Sequence, residues 1–160
     1  MLECEERKVT NYQFWKALEE IMKEPFGDEE SLTEFSMQLI KGYIDKDEIK
    51  IWCTFIENQF SPGTFYQSYL NTPGGKNLVC FTRKEYAEKD NRRLREEGAK
   101  QIKTKLVPLR ELIEELFTND NIIGLVFNPI ELEHMYYVNE KYLRTIIIKM
   151  TKSHFENQNK

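Results

Sequence analysis

Between residues 77 and 130 the apolar side chains fall into a fixed succession. Short runs at Leu78 to Phe81, Ile102 to Val107 and Ile122 to Phe127 alternate with two segments whose apolar residues recur at helical spacing. Runs of that length, rich in Val, Ile, Leu and Phe, read as strands buried on both faces; the intervening period of three to four reads as helix. A strand–helix–strand–helix–strand order fixes an α/β layout. The expectation is a mixed α/β (α+β) fold with one mixed sheet of five to six strands flanked by helices, the three runs lying side by side at its middle.

The chain before this region supplies a helical hairpin and an antiparallel half of the sheet. Thr10 followed by Gln13 is a capping-box signature and predicts a helix over 11–24, ended by Glu24-Pro25-Phe26-Gly27. Ser31 with Glu34 opens a second helix by the same logic. From Ile49 the period drops to two, which predicts a strand over 49–57 and, after Ser61-Pro62-Gly63, another over 64–70. With 76–82 these form a meander. Thr82 and Glu85 are a third capping box, Gly98 suits a helix end, and Pro108 suits the first turn of the next helix. Asn128-Pro129 breaks the third strand, His134 to Val138 returns as its hairpin partner, and Leu143, Ile146, Ile147 and Met150 mark a closing helix. One domain over 1–152 follows, with a helical segment at 1–48, the sheet and its helices at 49–152, and a disordered tail at 153–160.

Composition bounds the functional classes. The 160 residues, 40% hydrophobic and 31% charged, suffice for one domain with its own core. No apolar stretch approaches the ~20 residues of a bilayer span, so no membrane partner is expected. The start, MLECEER, is charged rather than apolar, and the three cysteines are odd in number and widely spaced. Both features point to the cytoplasm, and neither a disulfide framework nor a metal clasp is indicated. Cys53 and Cys80 are expected to stay unbridged, separated by the middle strand of the meander. With two histidines and no clustered cysteine, neither metal nor cofactor is expected.

Charge is unevenly distributed. Residues 83–105 carry nine basic against five acidic residues, and the rest of the chain has a balance of −8 within a total of −4. Lys89, Arg92, Arg93 and Arg95 on the intervening helix are therefore a candidate basic interaction surface, weighed against a solvated helix laced by pairs such as Glu85 to Lys89 and Glu88 to Arg92. Glu96, Glu97 and an isoelectric point near 5.4 oppose a polyanion, so no nucleic acid is expected.

A second candidate lies where strands end. Ligands of open α/β sheets collect beyond the carboxyl ends of the strands, which makes Thr82, Arg83, Asn128 and Pro129 a candidate ligand or anion edge. Helix capping by Thr82 and turn formation by Asn128-Pro129 account for the same residues. A nucleophile is harder to assemble: Cys80 or Cys53 would need His134 and Asn128, yet both thiols fall inside strands and His134 reads as solvent-facing.

The stretch NLVCFTRKEYA, the turn Val107-Pro108-Leu109 and the strand closing on Asn128-Pro129 together resemble the N-terminal domain of the SseB, or enhanced serine sensitivity, protein family. The resemblance spans most of 77–150. It implies a mixed α/β domain with no catalytic residue set to carry over. Arg83 stands where members often have serine, and 1–48 is expected to be particular to this subgroup.

The functional expectation is a non-catalytic protein-interaction module. Tyr12, Trp15, Phe60, Phe65, Tyr66, Tyr69, Tyr136, Tyr137 and Tyr142 exceed what one small core needs, and exposed aromatics anchor interfaces. A homodimer through the Tyr-rich strand at 64–71 is a further expectation if that strand forms a sheet edge. The alternative is a small-molecule- or anion-binding domain at the carboxyl ends of the central strands.

Overall fold

Residues 10–23, 28–44, 49–131 and 133–158 are described in a computed structural model. In chain order the elements are α1 (Asn11–Met22), α2 (Glu29–Ile44), β1 (Lys50–Glu57), β2 (Phe65–Gln67), β3 (Tyr69–Thr72), β4 (Gly75–Cys80), α3 (Lys84–Glu96), β5 (Ile102–Pro108), α4 (Leu109–Thr118), β6 (Ile122–Phe127), β7 (Tyr136–Asn139) and α5 (Glu140–Gln158). The class is mixed α/β. The breaker Glu24 to Gly27 lies outside the described residues.

The sheet differs from the expected one. Among the described residues seven short strands form two sheets, in the orders β2-β1-β5 and β3-β4-β6-β7. The predicted strand at 64–70 is bent in two at buried Ser68, whose N–H donates to Thr54 O (2.8 Å) while its carbonyl accepts from Val79 N (3.0 Å). One residue thus serves both sheets. They also touch directly where Trp52 and Phe81 exchange backbone bonds of 3.1 and 2.8 Å.

β4 and β6 are parallel neighbours, as Leu78↔Leu125 and Cys80↔Phe127 show. β5 is not beside them. It runs antiparallel to β1, from Lys50↔Pro108 to Ile56↔Ile102, as an outer strand. The reason is chemical: Lys103 and Lys105 are exposed, and a strand carrying ammoniums at alternate positions cannot be buried on both faces.

Four of the described helices, α1, α2, α4 and α5, cover one face. Phe35, Leu39, Leu112, Leu116 and Leu143 close over Ile51, Cys53, Cys80, Leu125 and Phe127, with the Phe35 ring 5.2 Å from Phe127 and 4.4 Å from Tyr136. Trp15 of α1 donates its indole N–H to Lys50 O at 2.6 Å. On the other face α3 sets Ala87 against Val79 and Phe81, with half-buried Trp52 and Tyr86 at the margin.

Local signals were followed unevenly. The Thr10–Gln13 capping box closes with two bonds of 3.1 Å. α2 instead begins at Glu29, with Asp28 Oδ1 accepting from Glu30 N at 3.1 Å. Ser31 is no cap; its buried hydroxyl meets Tyr136 Oη at 3.2 Å. The polar stretch from 153, expected to be disordered, continues α5 to Gln158. Cys53 and Cys80 are free buried thiols, although β1 and β4 are in direct contact rather than separated throughout. Among the described residues, no helix is long and apolar enough to cross a membrane.

Gly124 sits where β6 passes between neighbours. A Cβ there would lie 2.7 Å from Val138 O and 2.8 Å from both Asn77 Oδ1 and the Tyr137 ring. A backbone carbonyl cannot yield as a side chain does. Gly124→Ala is therefore expected to destabilise the domain by about 1–3 kcal/mol, measured by urea unfolding; an unchanged midpoint would contradict this packing.

Candidate functional site

Because β4 and β6 are parallel, their carboxyl ends deliver Thr82, Arg83 and Asn128 to one place. Asn128 takes a positive φ of 53°, which asparagine tolerates better than most residues. Its carboxamide then ties three segments. The Oδ1 atom accepts from Thr82 N (3.0 Å), and Nδ2 donates to Thr82 Oγ1 (3.1 Å) and His134 O (2.9 Å). Half-buried Pro129 follows in a turn closed by Glu131 N to Asn128 O and takes no part.

Thr82 does not cap α3. The N-cap position is Arg83, with no side-chain cap bond; the Thr82 hydroxyl donates instead to Glu19 Oε2 at 2.6 Å. A charged acceptor outcompetes a neutral capping geometry. Arg83 forks onto the same carboxylate, Nη2 to Oε1 at 2.8 Å and Nε to Oε2 at 3.0 Å.

Glu19 is the residue that sequence reasoning missed. A signal existed: on α1 the buried residues are Trp15, Leu18, Glu19 and Met22, so a carboxylate occupies the apolar stripe at i+4 from Trp15. A buried acid requires partners. Burial alone would raise its pKa, but hydrogen bonds from Arg83 and Thr82 and the Arg83 and His134 charges outweigh it and hold the group below the ordinary value. Arg83 is pushed up, chiefly by its bonds to Glu19.

His134, expected to face solvent, is only 5% exposed. Its Nδ1 is 2.8 Å from Tyr86 Oη, and its Nε2 has no hydrogen-bond partner among the described residues. Tyr86 is shifted upward, first by burial and then by Glu19, Glu131 and Glu85 against the opposing Arg83 charge, so its phenol is neutral. The thiols are poor nucleophiles: burial pushes Cys53 up to about 12 and Cys80 well above its usual range. Among the described residues no three His, Cys, Asp or Glu side chains cluster as metal ligands would. This edge therefore uses its polar groups on itself.

The basic helix is also partly spent. Lys89 pairs with Glu131 (3.0 Å) and Arg93 with both Asp90 and Glu97 (2.9 Å each), in place of the expected Glu85–Lys89 and Glu88–Arg92 pairs. Arg92 and Arg95 are exposed and without an ion pair among the described residues.

A concave surface lies at the opposite end of the sheet. A groove of about 910 Å³ opens between the β1–β2 loop and the end of α3, lined by Ile56, Phe60, Tyr66, Tyr69, Lys76 and Leu94 among others. Its size is that of a binding cleft. The loop is pinned: Asn58 N bonds Thr64 O (2.8 Å), Phe60 N bonds Asn58 Oδ1 (2.9 Å) and Gly63 N bonds Glu57 Oε2 (3.1 Å). On it Phe60 is 95% exposed, while Trp15 and Tyr136 of the aromatic set are buried in the core.

No protein-family model, curated protein or solved structure matches the chain.

The lowered pKa of Glu19 sets the sign of an acid effect. Its stabilisation is complete above the ordinary carboxylate value of 4.5 and is lost as pH falls through the lower folded-state value. Glu19→Gln is expected to cost about 1–3 kcal/mol at neutral pH and to weaken the loss of stability on acidification. Urea curves at neutral pH and in acid check this; identical pH dependence in both proteins would contradict it.

Proposed function

We propose that this chain is a non-catalytic, cytoplasmic protein-interaction domain that docks a partner at the aromatic groove beside the β1–β2 loop. The observation that carries the reading is Phe60, 95% exposed on a loop held by several hydrogen bonds. An aromatic ring left in water on a pre-ordered loop adds little to the stability of an isolated domain, and it is what an interface anchor requires. Tyr66, 41% exposed, extends the same surface.

Further support is negative for the competing reading, a small-molecule or anion site at the carboxyl ends of the strands. There the Arg83 charge is committed to Glu19 and the Asn128 carboxamide to Thr82 and His134. Raised thiols in the core supply no nucleophile. The resemblance to the SseB N-terminal domain fits, since it implies no catalytic set. Free buried thiols suit a reducing compartment.

Phe60→Ala should fold with an unchanged melting temperature, because the ring contributes little to the core. Wild-type protein is expected to retain a stoichiometric partner from a lysate of its source cells, and Phe60→Ala to lose it. Equal retention by both, or no partner for either, would overturn the reading.

A further inference from the structure

We propose that the outer edge of β5 accepts an extended protein segment of alternating acidic and apolar residues as an added strand. The inference rests on the interaction reading above and gives the partner its chemistry.

The backbone provides the first half of the case. Glu57 N donates to Gln101 O and Leu109 N to Ile49 O, so the odd-numbered positions of this register face β1. The N–H and C=O groups of Ile102, Thr104 and Leu106 then point outward, and among the described residues no strand pairs with that edge. An edge of this length without bulge or interior proline is a template for another chain.

Side chains specify the occupant. Lys103 and Lys105 share one face, and neither has a carboxylate within ion-pair distance among the described residues; their ammoniums rest over Phe65 (4.2 Å) and Phe55 (4.6 Å). Residues two apart in a strand lie about 6.7 Å from one another, the spacing of carboxylates at i and i+2 in an added strand. On the other face Leu106 is 39% exposed and Ile102 half-buried, which suits apolar residues at the alternate positions. The edge begins at Gln101, which lines the Phe60 groove, so both features serve one partner.

Other occupants fit less well. Two copies pairing about Thr104 would set Lys103 of each against the other's Lys105, and like charges directly opposite are destabilising. Single-stranded nucleic acid needs open aromatic faces, whereas these are covered by ammoniums, and Glu57, Glu111 and Glu115 line the adjoining grooves.

The test uses the full chain, isotopically labelled, with an acetylated peptide of about eight alternating Glu and Val residues. A Lys-for-Glu peptide and an oligothymidylate serve as comparison probes. At saturation the amides of Ile102, Thr104 and Leu106 should gain protection from hydrogen exchange. A Lys103→Glu/Lys105→Glu double variant should bind the acidic peptide about tenfold more weakly, as expected for two exposed ion pairs. The protection pattern is read on the wild-type protein, so it decides the matter even if the variant fails to fold. No binding, protection elsewhere, equal binding of either comparison probe, or dimerisation through β5 would overturn strand addition. If these amides stay unprotected while Phe60→Ala still releases a partner, strand addition alone fails; if no partner is retained in the first place, the interaction reading fails.

Discussion

One carboxylate organises the end of this sheet. Glu19 reaches from α1 to Thr82 at the end of β4 and to Arg83 at the head of α3, and Thr82 is held in turn by Asn128 at the end of β6. Burying an acid is unfavourable unless its charge and lone pairs are met, and here a forked guanidinium and a hydroxyl meet them. The result joins α1 to the strand ends and fills the place where α/β sheets usually receive ligands. Asn128 holds its positive φ because its carboxamide is bonded on both sides.

An open aromatic groove lies at the other end of the same strands. β4 brings Lys76 to the groove near its start and ends with Cys80, next to the Thr82–Glu19 contact. The corner at Ser68 makes this division possible, because β1 and β4 meet at Trp52 and Phe81 and then diverge, and the strand carrying Tyr66 and Tyr69 bridges the opening. Among the described residues β2 and β3 are terminal in their sheets, as are β5 and β7, and the outer edge of β5 starts beside the groove. The proposed docking of an extended protein segment draws on both features.

The elements themselves were legible in the sequence, and their placement was legible only in part. Apolar period located β4, β6 and α4, because those segments are buried and their residues say so. Ile102, Leu106 and Val107 suggest a central place for β5; the decisive information lies in Lys103 and Lys105, which forbid a two-sided burial. Ser68 gave no sign of a corner, since its partners Thr54 and Val79 are set by tertiary contact. Thr82, Arg83 and Asn128 were singled out by their position at strand ends, and the structure brings them together, whereas Pro129 stands apart. Their organising partner was missed because Glu19 is 63 residues from Thr82 and satisfies its burial only through the distant contacts with Thr82 and Arg83.

Glu19 and Thr82 form one cooperative lock and not two independent surface groups. A double-mutant cycle of Glu19→Gln and Thr82→Val, read by urea unfolding of the full chain, addresses it directly. A coupling of about 1–2 kcal/mol is predicted for a buried charge-assisted contact; strictly additive effects would contradict the account.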